Sequence, residues 1–267
     1  MVFPSKPLLC ATIWLAVVPK VALSFSSEGR EYRQGTALSG WLQNLFPAAL
    51  QETDDVDKDR QRDFPEQYPA TNEINHSIVS GDTGDAQLVR PLLKNTQLES
   101  KPLRVVYDAN SNGWNYKSFH NAVDGKGAAI IIARGHGTDW FGGYNPKGWA
   151  GTGGARPSIA AFLWYTRSDG VPQKLQKVGG GGLACAKDDP DTGIWPGADG
   201  LVIPLASGDP KEAQSKLGTY FEKRSDGKQS LFDAGCIKLA DLKVLVGEYE
   251  DNEAIPYSGA VLDMTSG

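Results

Sequence analysis

Sulfur and imidazole side chains are scarce in this 267-residue chain, which has three cysteines and three histidines. Removal of an amino-terminal signal would leave two thiols, Cys185 and Cys236, which are too few for a disulfide framework. A single bridge between them stays open, but isolated thiols are the simpler expectation. The histidines and cysteines also lack zinc-ligand spacing. The sequence therefore predicts neither a metal nor a cofactor.

Basic clusters are missing as well, and the formal net charge is −5. A protein that binds nucleic acid needs a cationic face that neutralises phosphates. Nucleic acid is therefore not an expected partner.

Long apolar runs are limited to residues 8–18, which Pro19 and Lys20 interrupt. A membrane span needs about 20 continuous apolar residues, whereas a short run followed by small residues is typical of a secretory signal. We predict a signal peptide over residues 1–24, cleaved after Ser24, and no membrane span in the mature chain. A signal anchor is the alternative.

Phe25 would be the first mature residue, and serines and arginines follow it. This short stretch resembles the plastid-targeting presequence of algae with secondary plastids. We therefore expect the chain to enter the secretory pathway, with such a plastid as one destination and secretion or the endomembrane lumen as the other.

Residues 25–85 combine prolines with an acidic run, and we interpret them as a targeting region and a disordered acidic linker. Residues 55–66 imitate a calcium-binding loop, but Arg60 stands where that loop needs glycine. Two Asp-Thr-Gly tripeptides, at 82–84 and 191–193, lack the flanking apolar strands of aspartic proteases. We interpret both tripeptides as turns.

A block of alternating strands and turns begins at Leu103. Leu103–Tyr107 predicts a strand, and residues 114–123 have the spacing of a short helix that Gly125 can end. Ala128–Ala133 is apolar throughout, which predicts a strand covered on both faces. Further strands are expected in the ranges 140–144, 160–165, 171–178, 201–205, 217–221 and 242–246. The predicted fold class is α+β, mainly β, with two antiparallel sheets packed as a sandwich and short helices at the margins.

The motifs of this block, in their order, resemble the TLDc family of eukaryotic oxidation-resistance proteins. They are Val106-Tyr107-Asp108, Asn112-Gly113-Trp114, Ser118-Phe119-His120, Val123 to Gly127, Phe141 to Tyr144, Trp149, Ala161-Phe162-Leu163, Thr192 to Gly197, and Leu231 to Gly235. The resemblance implies the same two-sheet sandwich, with a TLDc domain over residues 86–250 and a tail over 251–267. Its signature residues, structural or at an interface, are Phe119, His120, Asp124, Gly127, Phe141, Gly142, Gly143 and Trp149.

Two signature positions carry a structural hypothesis. Asp124 follows the predicted helix, where a carboxylate opposes the helix dipole, so we expect it to accept hydrogen bonds from neighbouring turn amides. Gly127 is expected to have a positive φ.

No catalytic residue is predicted, because a nucleophilic site needs a base and a group that orients it. The favoured function is a non-enzymatic TLDc module that binds a protein partner and contributes to oxidative-stress resistance. The alternative is a hydrolase or thiol-dependent antioxidant enzyme that uses Cys185, Cys236 or His120. Some family members bind the vacuolar proton-pumping ATPase, but that partner lies on the cytosolic side of the membrane. The family often has cysteine where this chain has Val123, and an acidic residue where it has Lys243.

Overall fold

An antiparallel sheet is the central element of the structure, a computed structural model that describes residues 58–82, 84–137, 139–178, 187–195, 200–206 and 208–258. All of these residues belong to one unit, Ala49–Gly267. The sheet has the strand order β1-β7-β2-β3-β4-β5, and β6 pairs with the first residues of β7. The strands are β1 (Leu103–Asp108), β2 (Ala129–Gly135), β3 (Phe141–Asn145), β4 (Phe162–Thr166), β5 (Pro172–Leu175), β6 (Glu212–Gln214) and β7 (Cys236–Gly247).

Short helices lie at the margins of this sheet, as the sequence predicts. They are α1 (Asp85–Val89), α2 (Ala109–Asn112) and α3 (Tyr116–Val123). Two 3₁₀ turns cover Pro65–Gln67 and Arg90–Leu93, and residues 58–63 are helical. Asn115 begins α3, because its side-chain oxygen accepts a hydrogen bond from the Ser118 amide at 2.8 Å. This cap satisfies one of the amides that a helix start leaves free.

The central strand β2 is buried on both faces, which confirms the prediction made from its unbroken apolar run. Ile131 points into one hydrophobic cluster with Phe119, Phe141 and Trp149. Its neighbours Ile130 and Ile132 point into a second cluster on the opposite face. Each fully buried side chain of this size contributes about 1.5–3 kcal/mol. The sheet is therefore the shared wall between two cores.

The expected two-sheet sandwich is not confirmed. The first face is covered by α3 and by largely irregular segments within residues 187–195, 200–206 and 215–232. Isolated bridges, such as the one between Ile194 and Ile203, join some of these segments. The expected strand at 201–205 does not form a ladder, because Pro204 has no amide proton to donate and Leu205 has a φ of 52°. In the part of the chain that the structure describes, the fold is mainly β with a single main sheet.

The structure of residues 64–82 corrects the expectation that this part of the chain is a disordered linker. They pack over the second face of the sheet, where Glu66 is buried and the Ser158 hydroxyl donates to its backbone carbonyl at 3.1 Å. The Lys174 ammonium donates to the Thr71 carbonyl at 2.9 Å. Compositional bias predicted disorder, but these polar residues find partners on elements that are distant in the sequence. Residues 25–57 of the expected linker lie outside the described residues.

Among the described residues, no helix has both the length and the apolar character that crossing a membrane requires.

Candidate functional site

Helix α3 places His120 and Asp124 one turn apart on the same side, because residues four apart face each other along a helix. The Nδ1 atom of His120 lies 2.8 Å from Oδ1 of Asp124. Asp124 is the first residue after the helix and has extended backbone angles, with a φ of −63° and a ψ of 135°. The carboxylate therefore turns back onto the last turn of the helix.

The other ring nitrogen of His120 joins α3 to a distant loop. Nε2 lies 2.9 Å from the backbone carbonyl oxygen of Thr192, and the histidine is only 6% exposed. Burial lowers the pKa of His120, but the hydrogen bonds to Asp124 and Thr192 and the charges of Asp124 and Asp188 raise it, and the net pKa lies above its ordinary value. Because both nitrogens face acceptors, the arrangement suits an imidazolium that donates from both sides.

An aromatic wall lies behind this histidine. The ring of Phe119 meets Tyr107, His120 and Trp149 in edge-to-face contacts, with centroid distances of 5.4, 5.1 and 5.0 Å. Such contacts add about 0.5–1.5 kcal/mol beyond burial. Four aromatic or imidazole rings thus fix the orientation of α3 against β1.

Asp188 organises the neighbouring glycine-rich turn. Its Oδ1 accepts hydrogen bonds from the amides of Ala150 and Gly151 at 2.8 and 3.0 Å. Its Oδ2 accepts from the Thr152 hydroxyl at 3.2 Å. The residue is 1% exposed, so these donors compensate for burial of a carboxylate. Sequence reasoning missed both Asp188 and Thr192.

The expectation for Asp124 is corrected by this arrangement. We expected Asp124 to accept hydrogen bonds from turn amides, whereas the structure gives that role to Asp188 and pairs Asp124 with His120. The four-residue spacing of His120 and Asp124 on a helix was the signal that could have revealed the pair. Asp188 had no comparable signal, because its partners lie 36 to 38 residues away.

Two glycines bring the end of α3 against the turn before Trp149. Gly127 has a φ of 77°, as predicted, and Gly148 has a φ of 59°. A β-carbon built on Gly148 would lie 2.0 Å from the carbonyl oxygen of Gly127. The Gly125 amide donates to the Trp149 carbonyl at 2.8 Å. Close backbone contact therefore locks the two turns together.

The remaining signature residues form a separate group within β3. Phe141 packs against Phe232 at a centroid distance of 5.2 Å. At Gly142 the carbonyl oxygen of Ile131 and the indole nitrogen of Trp164 leave no room for a β-carbon. Gly143 pairs with both β2 and β4. These positions serve the sheet, whereas Phe119, His120, Asp124, Gly127 and Trp149 form one cluster around α3.

The other candidate residues lie away from this cluster or outside the described residues. Cys236 is exposed at the start of β7, and Cys185 is not among the described residues, so the question of a bridge stays open. His76 and His136 are exposed. Within the described ranges no group of three histidine, cysteine or acidic side chains has the geometry to hold a metal ion.

The chemistry open to His120 follows from its contacts. A general base needs a ring nitrogen with a free lone pair near the substrate. Both nitrogens of His120 are occupied by acceptors, and the ring is buried behind Phe119. The arrangement suits a protonated His120 that joins helix α3 to the loop at Thr192 through two hydrogen bonds.

Comparison with known proteins shows a family similarity over part of the chain. No curated protein matches the chain. A family model of the TLDc domain matches residues 77–203. This match includes helices α1 to α3, strands β1 to β5 and all eight signature residues named above. The motif order that suggested the resemblance is thus supported, and residues 77–203 of the chain are similar to the TLDc domain family.

Proposed function

We propose that this protein is a non-enzymatic TLDc module that acts by binding a protein partner and contributes to oxidative-stress resistance. The family match supports the link to oxidative stress. The observation that carries the non-enzymatic assignment is the engagement of both His120 nitrogens, by Asp124 and by the Thr192 carbonyl. A ring held in this way serves stability and not proton transfer.

The alternative function is a hydrolase or thiol-dependent antioxidant enzyme using Cys185, Cys236 or His120. The exposure of Cys236 is the one observation that favours it, because an oxidant must reach a thiol that it consumes.

Single replacements separate the two functions. Cys185→Ser, Cys236→Ser and His120→Gln would be compared with wild type for survival of cells under peroxide and for melting temperature. His136→Gln is the matched control, since His136 is an exposed turn residue. If the protein is a binding module, every variant that stays folded should still protect cells against peroxide. Loss of protection by Cys236→Ser at an unchanged melting temperature would establish the thiol enzyme instead.

The location of the protein decides which partners it can reach. We propose that the chain enters the secretory pathway, with a secondary plastid as one destination. A fluorescent reporter fused to residues 1–50 in the native host tests this. Reporter fluorescence in the cytosol would make the vacuolar proton-pumping ATPase a reachable partner. Fluorescence in a plastid or in the secretory pathway would direct the search to proteins of that compartment.

A further inference from the structure

A strip of six side chains crosses the ends of the neighbouring strands β1, β7 and β2. Its members are Lys211, Trp114, Asn110, Asp241, Arg134 and Trp140, and we call them the tryptophan strip. Asn110 lies in α2 directly after β1, Asp241 lies on β7 and Arg134 on β2. Both tryptophans are half-buried, and Lys211 and Arg134 are exposed. The strip therefore lies at the surface, and its two tryptophan rings are partly buried in the fold.

Each member of the strip contacts the next. The Lys211 ammonium lies 4.9 Å from the centre of the Trp114 ring, and the Trp114 indole donates to the Asn110 side-chain oxygen at 3.1 Å. The Asn110 amide donates to Oδ1 of Asp241 at 3.0 Å. At the other end, Arg134 donates to Oδ2 of Asp241 and lies 4.4 Å from the centre of the Trp140 ring.

A β-bulge gives the strip its centre. The pairing of β2 with β7 shifts between Arg134, opposite Asp241, and Gly135, opposite Leu239. The extra residue is Ala240, and its carbonyl oxygen accepts a hydrogen bond from the Asn110 side-chain amide at 3.0 Å. Bulges commonly redirect side chains at functional surfaces. Here the bulge brings Asp241 within reach of both Asn110 and Arg134.

The side chains of the strip contact one another in the free chain. Binding normally costs about 0.5–1.5 kcal/mol for each flexible side chain that becomes immobile, and contacts that restrain a side chain beforehand reduce this cost. Tryptophan and arginine are also the residues that most often dominate binding energy at protein interfaces. Preorganisation and composition both point to a docking surface.

The charges of the strip indicate what kind of partner it fits. Both oxygens of Asp241 already accept hydrogen bonds within the strip. The ammonium of Lys211 and the guanidinium of Arg134 lie over tryptophan faces and remain exposed. Open binding capacity therefore resides in cationic donors beside aromatic rings, which suits carboxylates next to apolar side chains.

We propose that the tryptophan strip binds an acidic segment of a partner protein. The proposal rests on the proposed function as a protein-binding module and adds the surface and the chemistry of the partner. Single-stranded nucleic acid also stacks on tryptophan. The strip has only two cations and the chain is acidic, whereas phosphate binding needs a cationic path along the backbone.

A direct binding measurement tests the proposal. The probe is a fluorescent peptide of glutamate and leucine residues, titrated with the full chain at low salt and followed by anisotropy. Arg134→Gln and Lys211→Gln should each weaken binding about two- to fivefold, the range for solvent-exposed ion pairs. The matched controls are Arg167→Gln and Lys228→Gln, which remove exposed cations outside the strip and should leave the affinity unchanged.

Three outcomes would overturn the proposal. They are absence of peptide binding, equal weakening by the control variants, and tighter binding of a single-stranded oligonucleotide than of the peptide. Circular dichroism and melting temperatures of all variants ensure that lost affinity does not reflect unfolding. Failure here is distinguishable from failure of the proposed function, because stress protection that survives the cysteine and histidine variants would keep the module and place its interface elsewhere.

Discussion

At the scale of single residues, the pairing of His120 with Asp124 is the feature that most constrains the function. The ring has acceptors on both sides and lies behind Phe119. It therefore contributes to folding stability as a buried group whose two nitrogens both have hydrogen-bond partners. A buried donor that loses its acceptor costs about 1–3 kcal/mol. Three predictions at this scale follow from the pair and from the glycine contact beside it.

Asp124→Ala should lower the free energy of unfolding by about 1–3 kcal/mol, because the Nδ1–H of His120 loses its acceptor. Asp124→Asn should cost less, since an amide oxygen can still accept the same hydrogen bond. Chemical denaturation of the purified variants measures both values. If Asp124→Ala unfolds like wild type but loses partner binding or stress protection, the residue is functional and the structural account of it is wrong.

Stability should also depend on pH through His120. Its pKa is raised in the folded state relative to about 6.5 in the unfolded chain. The stabilisation is therefore complete below about pH 6.5 and is lost as the pH rises through the folded-state pKa. We expect the unfolding free energy of wild type, relative to His120→Gln, to fall as the pH is raised from about 6 to 9. A difference that stays constant over this range would show that folding does not raise the pKa of His120.

Gly148→Ala should be far more damaging than Gly153→Ala, although both glycines have positive φ angles, of 59° and 76°. A methyl group at Gly148 meets the Gly127 carbonyl oxygen, whereas Gly153 has open space around it. The left-handed backbone alone costs about 1–2 kcal/mol, and overpacking typically adds about 1–3 kcal/mol. Thermal melts compare the two variants, and equal melting temperatures would mean that the turns at 127 and 148 do not touch.

At the scale of elements, Arg90 ties residues 64–82 to the domain. It lies at the junction of α1 with the following 3₁₀ turn and forms an ion pair with Asp82, with side chains 5% and 3% exposed. Its guanidinium also donates to the backbone carbonyls of Leu98, Glu99 and Lys101 at 2.7, 3.1 and 2.9 Å. All the N–H donors of the Arg90 guanidinium are therefore engaged, and Asp82 of the first Asp-Thr-Gly tripeptide serves as its counter-ion.

Asp82→Ala should destabilise the domain by about 3–5 kcal/mol, because it leaves the buried charge of Arg90 without its counter-ion. Asp63→Ala is the matched control. It removes the carboxylate of an ion pair with Arg62 whose side chains are 71% and 54% exposed, and such pairs contribute about 0–1 kcal/mol. Urea denaturation measures both variants. A similar small effect for the two would show that Asp82 is accessible to water in solution.

At the scale of the whole molecule, the first and last described segments of the unit meet at the side chain of Glu66. The Tyr257 hydroxyl donates to Oε1 of Glu66 at 2.8 Å, and the side-chain amide of Gln97 donates to Oε2 at 2.9 Å. Residues well outside the predicted range of 86–250 thus take part in the fold. The unit that folds is longer than the family motifs suggested.

Limited proteolysis with mass spectrometry should yield a resistant fragment that begins at or before Phe64 and extends to Tyr257. The physical reason is that cleavage needs locally unfolded backbone, and Glu66 and Arg90 hold this backbone against the sheet. A fragment that starts near residue 86 would contradict this and would support the interpretation of the preceding residues as a disordered linker. Tyr257→Phe should shift the cleavage at the carboxyl end first.

Elements whose signals are local could be predicted from the sequence. The apolar run of β2, the helical spacing of α3 with its end near Gly125, and the positive φ of Gly127 all follow from periodicity and from backbone preference, which act over a few residues. The order of the motifs also indicated the family that residues 77–203 resemble. For this reason the block from β1 to β3 was predicted closely.

Contacts between residues far apart in the sequence depend on the tertiary structure. Thr192 reaches His120 across 72 residues, and Tyr257 reaches Glu66 across 191. Such contacts leave no periodic trace, because they depend on where separate segments come to lie around the sheet. The same reason explains why residues 64–82 are folded: burial of a segment depends on the surface that it finds, and no segment carries that surface in its own sequence.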